Sequence, residues 1–126
     1  YSFIVVNYAN PDMVGHTGSL PAAIKAVETV DSCVKKLLDW FVAHNWSVLI
    51  IADHGNAEQL VNYHDGSPHT AHTTHPVPIC LVSKDCNYSL ASGGALCDVA
   101  PTILALLGVE QPSEMTGHSL LADAPV

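Results

Sequence analysis

Ser47-Val48-Leu49-Ile50-Ile51-Ala52-Asp53-His54-Gly55-Asn56 is the stretch on which the fold turns, five apolar residues after a serine and then four residues of turn and polar character. An unbroken β-branched and aliphatic run of this length reads as a strand buried on both faces, the kind found in parallel sheets covered by helices. In open sheets of that type ligands collect beyond the carboxyl ends of the strands, where Asp53 and His54 would lie. The same pattern stands upstream: Ser2 to Tyr8 is apolar and β-branched, and Asn10-Pro11-Asp12 follows in what should be a loop.

Between these two runs, Ala23, Val27, Val30, Val34, Leu37, Leu38 and Phe41 fall at three-four spacing, with Ser19 near the cap and Pro21 in the first turn. This predicts an amphipathic helix over Pro21 to His44. Downstream, Val77 to Val82 predicts a third strand, and Asp98 to Leu107 a last helix that Gly108 ends, with Asp98 as its cap. The order predicts an α/β fold with a mostly parallel sheet flanked by helices. Neither repeats nor linkers suggest an internal boundary, and a chain opening on a buried strand is expected to be part of a larger domain.

Composition narrows the function. Twelve acidic residues face four lysines and no arginine, for a formal net charge of -8. Such a surface repels nucleic acid and anionic lipid. No apolar run approaches the roughly 20 residues of a membrane span, and the opening residues lack a signal-peptide pattern, which makes the cytoplasm the default location. Cys33, Cys80, Cys86 and Cys97 are irregularly spaced and read as reduced thiols. Eight histidines with an excess of carboxylates is a composition suited to divalent cations. Without arginine, the side chain best shaped for two-pronged anion binding, a small anionic substrate would need groups from outside these residues.

Three clusters carry the candidate chemistry. Asp12 and His16 stand four apart and can face one ion, although Asp12 also suits a helix or turn cap with His16 merely exposed. Asp53-His54 follows a strand directly, and Gly55 permits a sharp turn; the alternative is an Asx-turn with a solvent-facing histidine. His69, His72 and His75 recur every third residue, and one ligand with two bystanders is the preferred reading. His44, His64 and His118 read as surface residues, and Trp40 and Trp46 as core or helix-edge packing. Two carboxylates brought to one sheet edge with several imidazoles would repel each other unless cations lay between them. A pair of divalent ions roughly 3.5 to 4 Å apart is the arrangement that assists in-line phosphoryl displacement.

The strings Asn10-Pro11-Asp12-Met13-Val14-Gly15-His16-Thr17-Gly18, Ala52-Asp53-His54-Gly55-Asn56-Ala57-Glu58, His69-Thr70-Ala71-His72-Thr73-Thr74, Pro76-Val77-Pro78 and Asp98-Val99-Ala100-Pro101-Thr102-Ile103-Leu104 occur in that order. Together they resemble the C-terminal part of the cofactor-independent phosphoglycerate mutases, in the alkaline phosphatase superfamily. The resemblance covers nearly all of residues 1–126. It implies a partial alkaline-phosphatase-like domain in which Asp12, His16 and His72 bind one metal and Asp53 and His54 supply two ligands of a second. The implied cofactors are two divalent ions, manganese in the first place, with magnesium, cobalt or zinc as alternatives. The implied reaction interconverts 3-phosphoglycerate and 2-phosphoglycerate through a phosphoserine intermediate, in a parent enzyme expected to be monomeric.

The family's serine segment, Asn-Ser-Glu-Val-Gly-His, and its substrate-holding domain are not in this sequence. The 126 residues alone are therefore expected to be inactive and to bind the three-ligand metal more tightly. Open sheet edges leave self-association as a further expectation. Rival readings are another metalloenzyme of the superfamily, such as a phosphatase or phosphopentomutase, and a non-catalytic metal-binding module.

Overall fold

The structure, a computed structural model, describes residues 1–84 and 88–123, so Cys86 lies outside the described residues. In chain order it holds α1 (Asn10–Gly15), α2 (Leu20–Ala43), β1 (Val48–Ile51), β2 (Ile79–Val82), β3 (Tyr88–Leu90), a 3-10 turn (Leu96–Asp98), α3 (Val99–Leu107) and β4 (Leu121–Asp123). The chain divides into two units, Tyr1–Asp39 with His54–Val77 and Trp40–Asp53 with Pro78–Val126. The mixture of helices and strands is the expected α/β class.

In the first unit, α2 starts one residue before the predicted position, and its Ala23 is buried on the face formed by the three-four spacing. The strand expected over Ser2–Tyr8 does not form. Residues 1–9 join no ladder, and Val5 and Val6 are 75% and 52% exposed. β-branched sequence supplies the propensity, but a strand exists only through a paired neighbour, and none of the described residues pairs with this run. The following segment, expected to be a loop, winds into α1, helped by Pro11, whose fixed φ suits a first helical turn.

In the second unit, β1 and β2 pair antiparallel with Val48 opposite Val82 and Ile51 opposite Ile79. β3 and β4 form a second antiparallel ladder, with Ser89 opposite Ala122. The parallel sheet expected from the sequence is not seen among the described residues. Both long helices end in the same way. Asn45 and Gly108 adopt left-handed backbone (φ 61° and 65°), and the next residue's N–H reaches back five residues, from Trp46 to the Phe41 carbonyl and from Val109 to that of Leu104. These are Schellman endings, which tie up carbonyls that the last helical turn leaves free. The apolar contact that accompanies such an ending is Trp46 edge-on to Phe41, with ring centroids 5.3 Å apart. Trp40, by contrast, is 53% exposed and stacks on His44. Asn45→Ala is expected to cost about 1 kcal/mol in a urea melt, and Asn45→Gly nothing, since only a side chain without local hydrogen bonding meets the left-handed penalty in full.

Asp98 stands at the cap position of α3 but makes no side-chain bond to that helix, contrary to the sequence expectation. Its buried carboxylate instead accepts the N–H groups of His118 (2.9 Å) and Ala95 (2.8 Å). Thr102, fully buried, donates its hydroxyl to the Asp98 carbonyl and accepts the Leu120 N–H at 2.9 Å. The start of α3 is thus bolted to the segment before β4. Hydrogen bonds from the His118 and Ala95 amides, against the opposing effect of burial and with help from the His118 ring and the Cys97 thiol, hold the Asp98 carboxyl below its ordinary value. A lowered folded-state pKa adds stability above the unfolded value of about 4, and that stability is lost as the pH falls through the folded value. The stability difference between the wild type and Asp98→Asn is expected to narrow steadily from pH 5 to pH 2, measured by denaturant melts.

Cys33, Cys80 and Cys97 are free thiols, as the spacing suggests. Among the described residues no helix is long and apolar enough to cross a membrane.

Candidate metal centre

The centre lies in the first unit and begins at α1. Asp12 is in its first turn and His16 is its C-terminal cap, so the two side chains are one helical turn apart and lean to the same side. The loop carrying His72 brings a third donor. Asp12 Oδ1 lies 3.3 Å from His16 Nε2 and 3.1 Å from His72 Nε2, and the two Nε2 atoms are 3.2 Å apart. One ligand atom from each of the three residues falls within 4.8 Å of the others, the only such group of three or more among the described residues.

The hydrogen bonds around this trio suit cation binding. His16 Nδ1 sits 2.6 Å from the Thr70 carbonyl oxygen, which can only accept, so Nδ1 carries the proton and Nε2 presents its lone pair inward. A backbone carbonyl fixing the far nitrogen in this way is the usual support of a metal-binding imidazole. A carboxylate oxygen and two ring nitrogens so close together crowd electron pairs that a proton or a divalent cation must separate. Carboxylate oxygen is a hard donor and imidazole nitrogen a borderline one, a mixed set suited to a divalent cation.

Asn56 completes the arrangement. Its amide donates to Asp12 Oδ1 at 2.8 Å and lies 3.5 Å from His16 Nε2. The residue is buried, and its Oδ1 has no partner among the described residues. Gly15 leaves room for that amide: a Cβ there would collide with Asn56, its Cγ being 2.8 Å away. Burial would raise the Asp12 carboxyl, but the Asn56 hydrogen bond and the nearby His16, His72 and His54 rings together outweigh it and hold the group below its ordinary value. Asp12 is therefore ionised at neutral pH.

The other expected residues are distributed around this core. The His54 ring stacks on His72 with centroids 3.7 Å apart and planes at 20°. Asp53 is exposed just beyond β1 and belongs to the second unit. His69 contacts the Gln59 carbonyl at 3.2 Å, and His75 pairs with Glu58 at 3.0 Å, so neither is in the trio. His44, His64 and His118 are exposed, as expected. Sequence reasoning passed over Asn56 and Thr70, whose roles depend on an amide and a carbonyl rather than on metal-ligand side chains. Asn56 did stand inside one of the strings quoted above, two residues after His54.

Comparison with known proteins agrees with the chemistry. Residues 1–111 match the family described as Metalloenzyme superfamily. Proteins named 2,3-bisphosphoglycerate-independent phosphoglycerate mutase from Lachnoclostridium phytofermentans and Flavobacterium johnsoniae are each 56% identical to it, over 121 residues (96% of this chain) and 119 residues (94%). A protein of the same name from Gloeobacter violaceus is 50% identical over 134 aligned positions, covering 100% of this chain. The aligned parts make up 24%, 23% and 25% of those relatives, so the chain spans about a quarter of their length. The chain belongs to the metalloenzyme superfamily, and the members it resembles are phosphoglycerate mutases of the 2,3-bisphosphoglycerate-independent type.

Proposed function

We propose that these residues form the metal-binding part of a phosphoglycerate mutase that interconverts 3-phosphoglycerate and 2-phosphoglycerate in the cytoplasm. The observation carrying this reading is the convergence of Asp12, His16 and His72 on one point in a chain whose relatives bear that name. Asp12, His16 and His72 would hold one divalent ion and Asp53 and His54 a second, manganese being the ion of first choice. Bound there, the ions would supply charge neutralisation for the transferring phosphoryl group and acidify the attacking hydroxyl.

The residues themselves bind and orient. Thr70 fixes the His16 tautomer, Asn56 steadies Asp12, and the His54 ring lies against His72. The attacking serine and the groups that grip phosphoglycerate would come from outside these residues, consistent with a chain that spans a quarter of its relatives and has no arginine.

Two experiments test the reading. In the first, residues 1–126 replace the matching part of the Lachnoclostridium relative, and the chimera is assayed with 3-phosphoglycerate. Formation of 2-phosphoglycerate, abolished by His72→Ala, is the expected result; a folded, metal-loaded chimera without mutase activity would overturn the substrate assignment. The second titrates the 126-residue chain with Mn2+, Zn2+ and Co2+. His72→Ala should remove the tighter site and Asp53→Ala only the weaker one, and equal binding by all three proteins would remove the ligand assignment.

A further inference from the structure

Glu58 holds more partners than an exposed turn carboxylate requires. Its Oε1 accepts the Thr73 hydroxyl in a short hydrogen bond and faces His75 Nδ1 at 3.0 Å, while its Oε2 accepts the Asn56 backbone N–H at 2.6 Å. These partners lie on two separate stretches of chain. Asn56 follows His54 by two residues, and Thr73 follows His72 by one.

The backbone joins the same stretches at the same level. Gly55 and Thr73 form an isolated antiparallel bridge, with the Thr73 N–H donating to the Gly55 carbonyl at 2.9 Å. The fit allows no side chain at position 55: a Cβ there would collide with the Thr73 hydroxyl and come within 2.5 Å of Glu58 Oε1. Glu58 and the glycine bridge together close a small loop-to-loop clamp. On one side of it sits His54, on the other His72, and their rings meet face to face at 3.7 Å. The clamp also reaches Asp12, because the Asn56 whose N–H Glu58 holds is the residue that sends its amide to Asp12 Oδ1.

We infer that Glu58 is a positioning residue of the metal centre, its carboxylate gathering Asn56, Thr73 and His75 so that the His54 and His72 rings are held against each other beside Asp12 and His16. His75 is then a brace and not a ligand. The inference rests on the metal-binding reading above. It adds that binding affinity is governed by a residue that touches no ion, and an outer partner of that kind typically accounts for about 10–100-fold in metal affinity.

The test uses the 126-residue chain in two measurements. The imidazole resonances of metal-free protein are recorded for the wild type, Glu58→Ala and Glu58→Gln, and these three proteins, together with the single variant His72→Ala, are then titrated with Mn2+. In Glu58→Ala the His54 and His72 resonances should move while those of His44 and His118 stay in place, and Mn2+ affinity should drop about 10–100-fold. Glu58→Gln, which keeps an acceptor for Thr73, should recover part of both. A role confined to general stability would move all four histidines together or lower only the melting temperature. Unmoved His54 and His72 resonances with wild-type Mn2+ affinity in Glu58→Ala would overturn the proposal. If Glu58→Ala does not fold, Thr73→Val, which deletes one of the three contacts, carries the same expectations. Mn2+ binding at wild-type affinity in His72→Ala would instead refute the metal-site reading, whereas the resonances of the metal-free protein judge the clamp by themselves.

Discussion

Asp12→Ala is expected to weaken Mn2+ binding by more than about 100-fold, exceeding the 10–100-fold typical of losing an outer partner. Asp12 is the one anion in the trio, and both imidazole nitrogens approach the same oxygen of its carboxylate, at 3.3 and 3.1 Å. Two neutral rings alone would leave the ion's charge uncompensated and one coordination position open. The effect is visible in thermal melts as well as titrations. Metal at a hundred times its dissociation constant stabilises a one-site protein by about 2.7 kcal/mol, worth roughly 10 °C in a chain of this size. The wild type should show that rise on adding Mn2+, and Asp12→Ala should not. An Asp12→Ala protein that melts higher with Mn2+ by the same margin as the wild type would show that the ion binds elsewhere.

Gly117→Ala is expected to lower stability by about 3 kcal/mol, the upper end of the overpacking range. A Cβ at this position would lie 2.5 Å from the Cys97 carbonyl carbon and 3.0 Å from Asp98 Oδ1. The obstacle is backbone, so no side-chain rotation relieves it. The nearest remedy would push the 117–120 segment away and break the His118 bond to Asp98. Gly93, where nothing lies within 4 Å of an added Cβ, has a positive φ of 80° and gives a useful contrast: Gly93→Ala tests backbone strain without crowding. A Gly117→Ala variant that unfolds at the wild-type denaturant midpoint would show that the close approach relaxes freely.

The helices were the legible part of the fold because their signals are local. Three-four spacing, Pro21 in the first turn and Gly108 after the last are each read within a few residues, and α2 and α3 fall within one residue of their expected limits. Strand direction is not local. Ser47 to Ala52 announces an apolar strand, but whether its partner runs parallel depends on a remote segment, and the partner found, Ile79–Val82, runs antiparallel. The run from Ser2 to Tyr8 carries an Ile-Val-Val stretch as β-branched as β1 and pairs with none of the described residues.

The centre was legible in a different way. Spacing alone left Asp12 and His16 open to a capping reading, and three histidines in a row gave no reason to prefer His72. The family resemblance singled out His72, and the geometry brings it within 3.2 Å of His16. Asn56 and Glu58 escaped because amides and glutamates after a strand usually make turns, and only coordinates reveal that one reaches back 44 residues to Asp12.

The Thr102 hydroxyl joins the Asp98 carbonyl to an amide in an irregular stretch, and the Asp98 carboxylate ties the amide two residues earlier to that of Ala95. Deuterium uptake at His118 and Leu120 should consequently be slow and should speed up at the same moment as the α3 amides, marking one opening event. An apparently featureless strip of chain would then report, amide by amide, on whether the helix behind it is still wound.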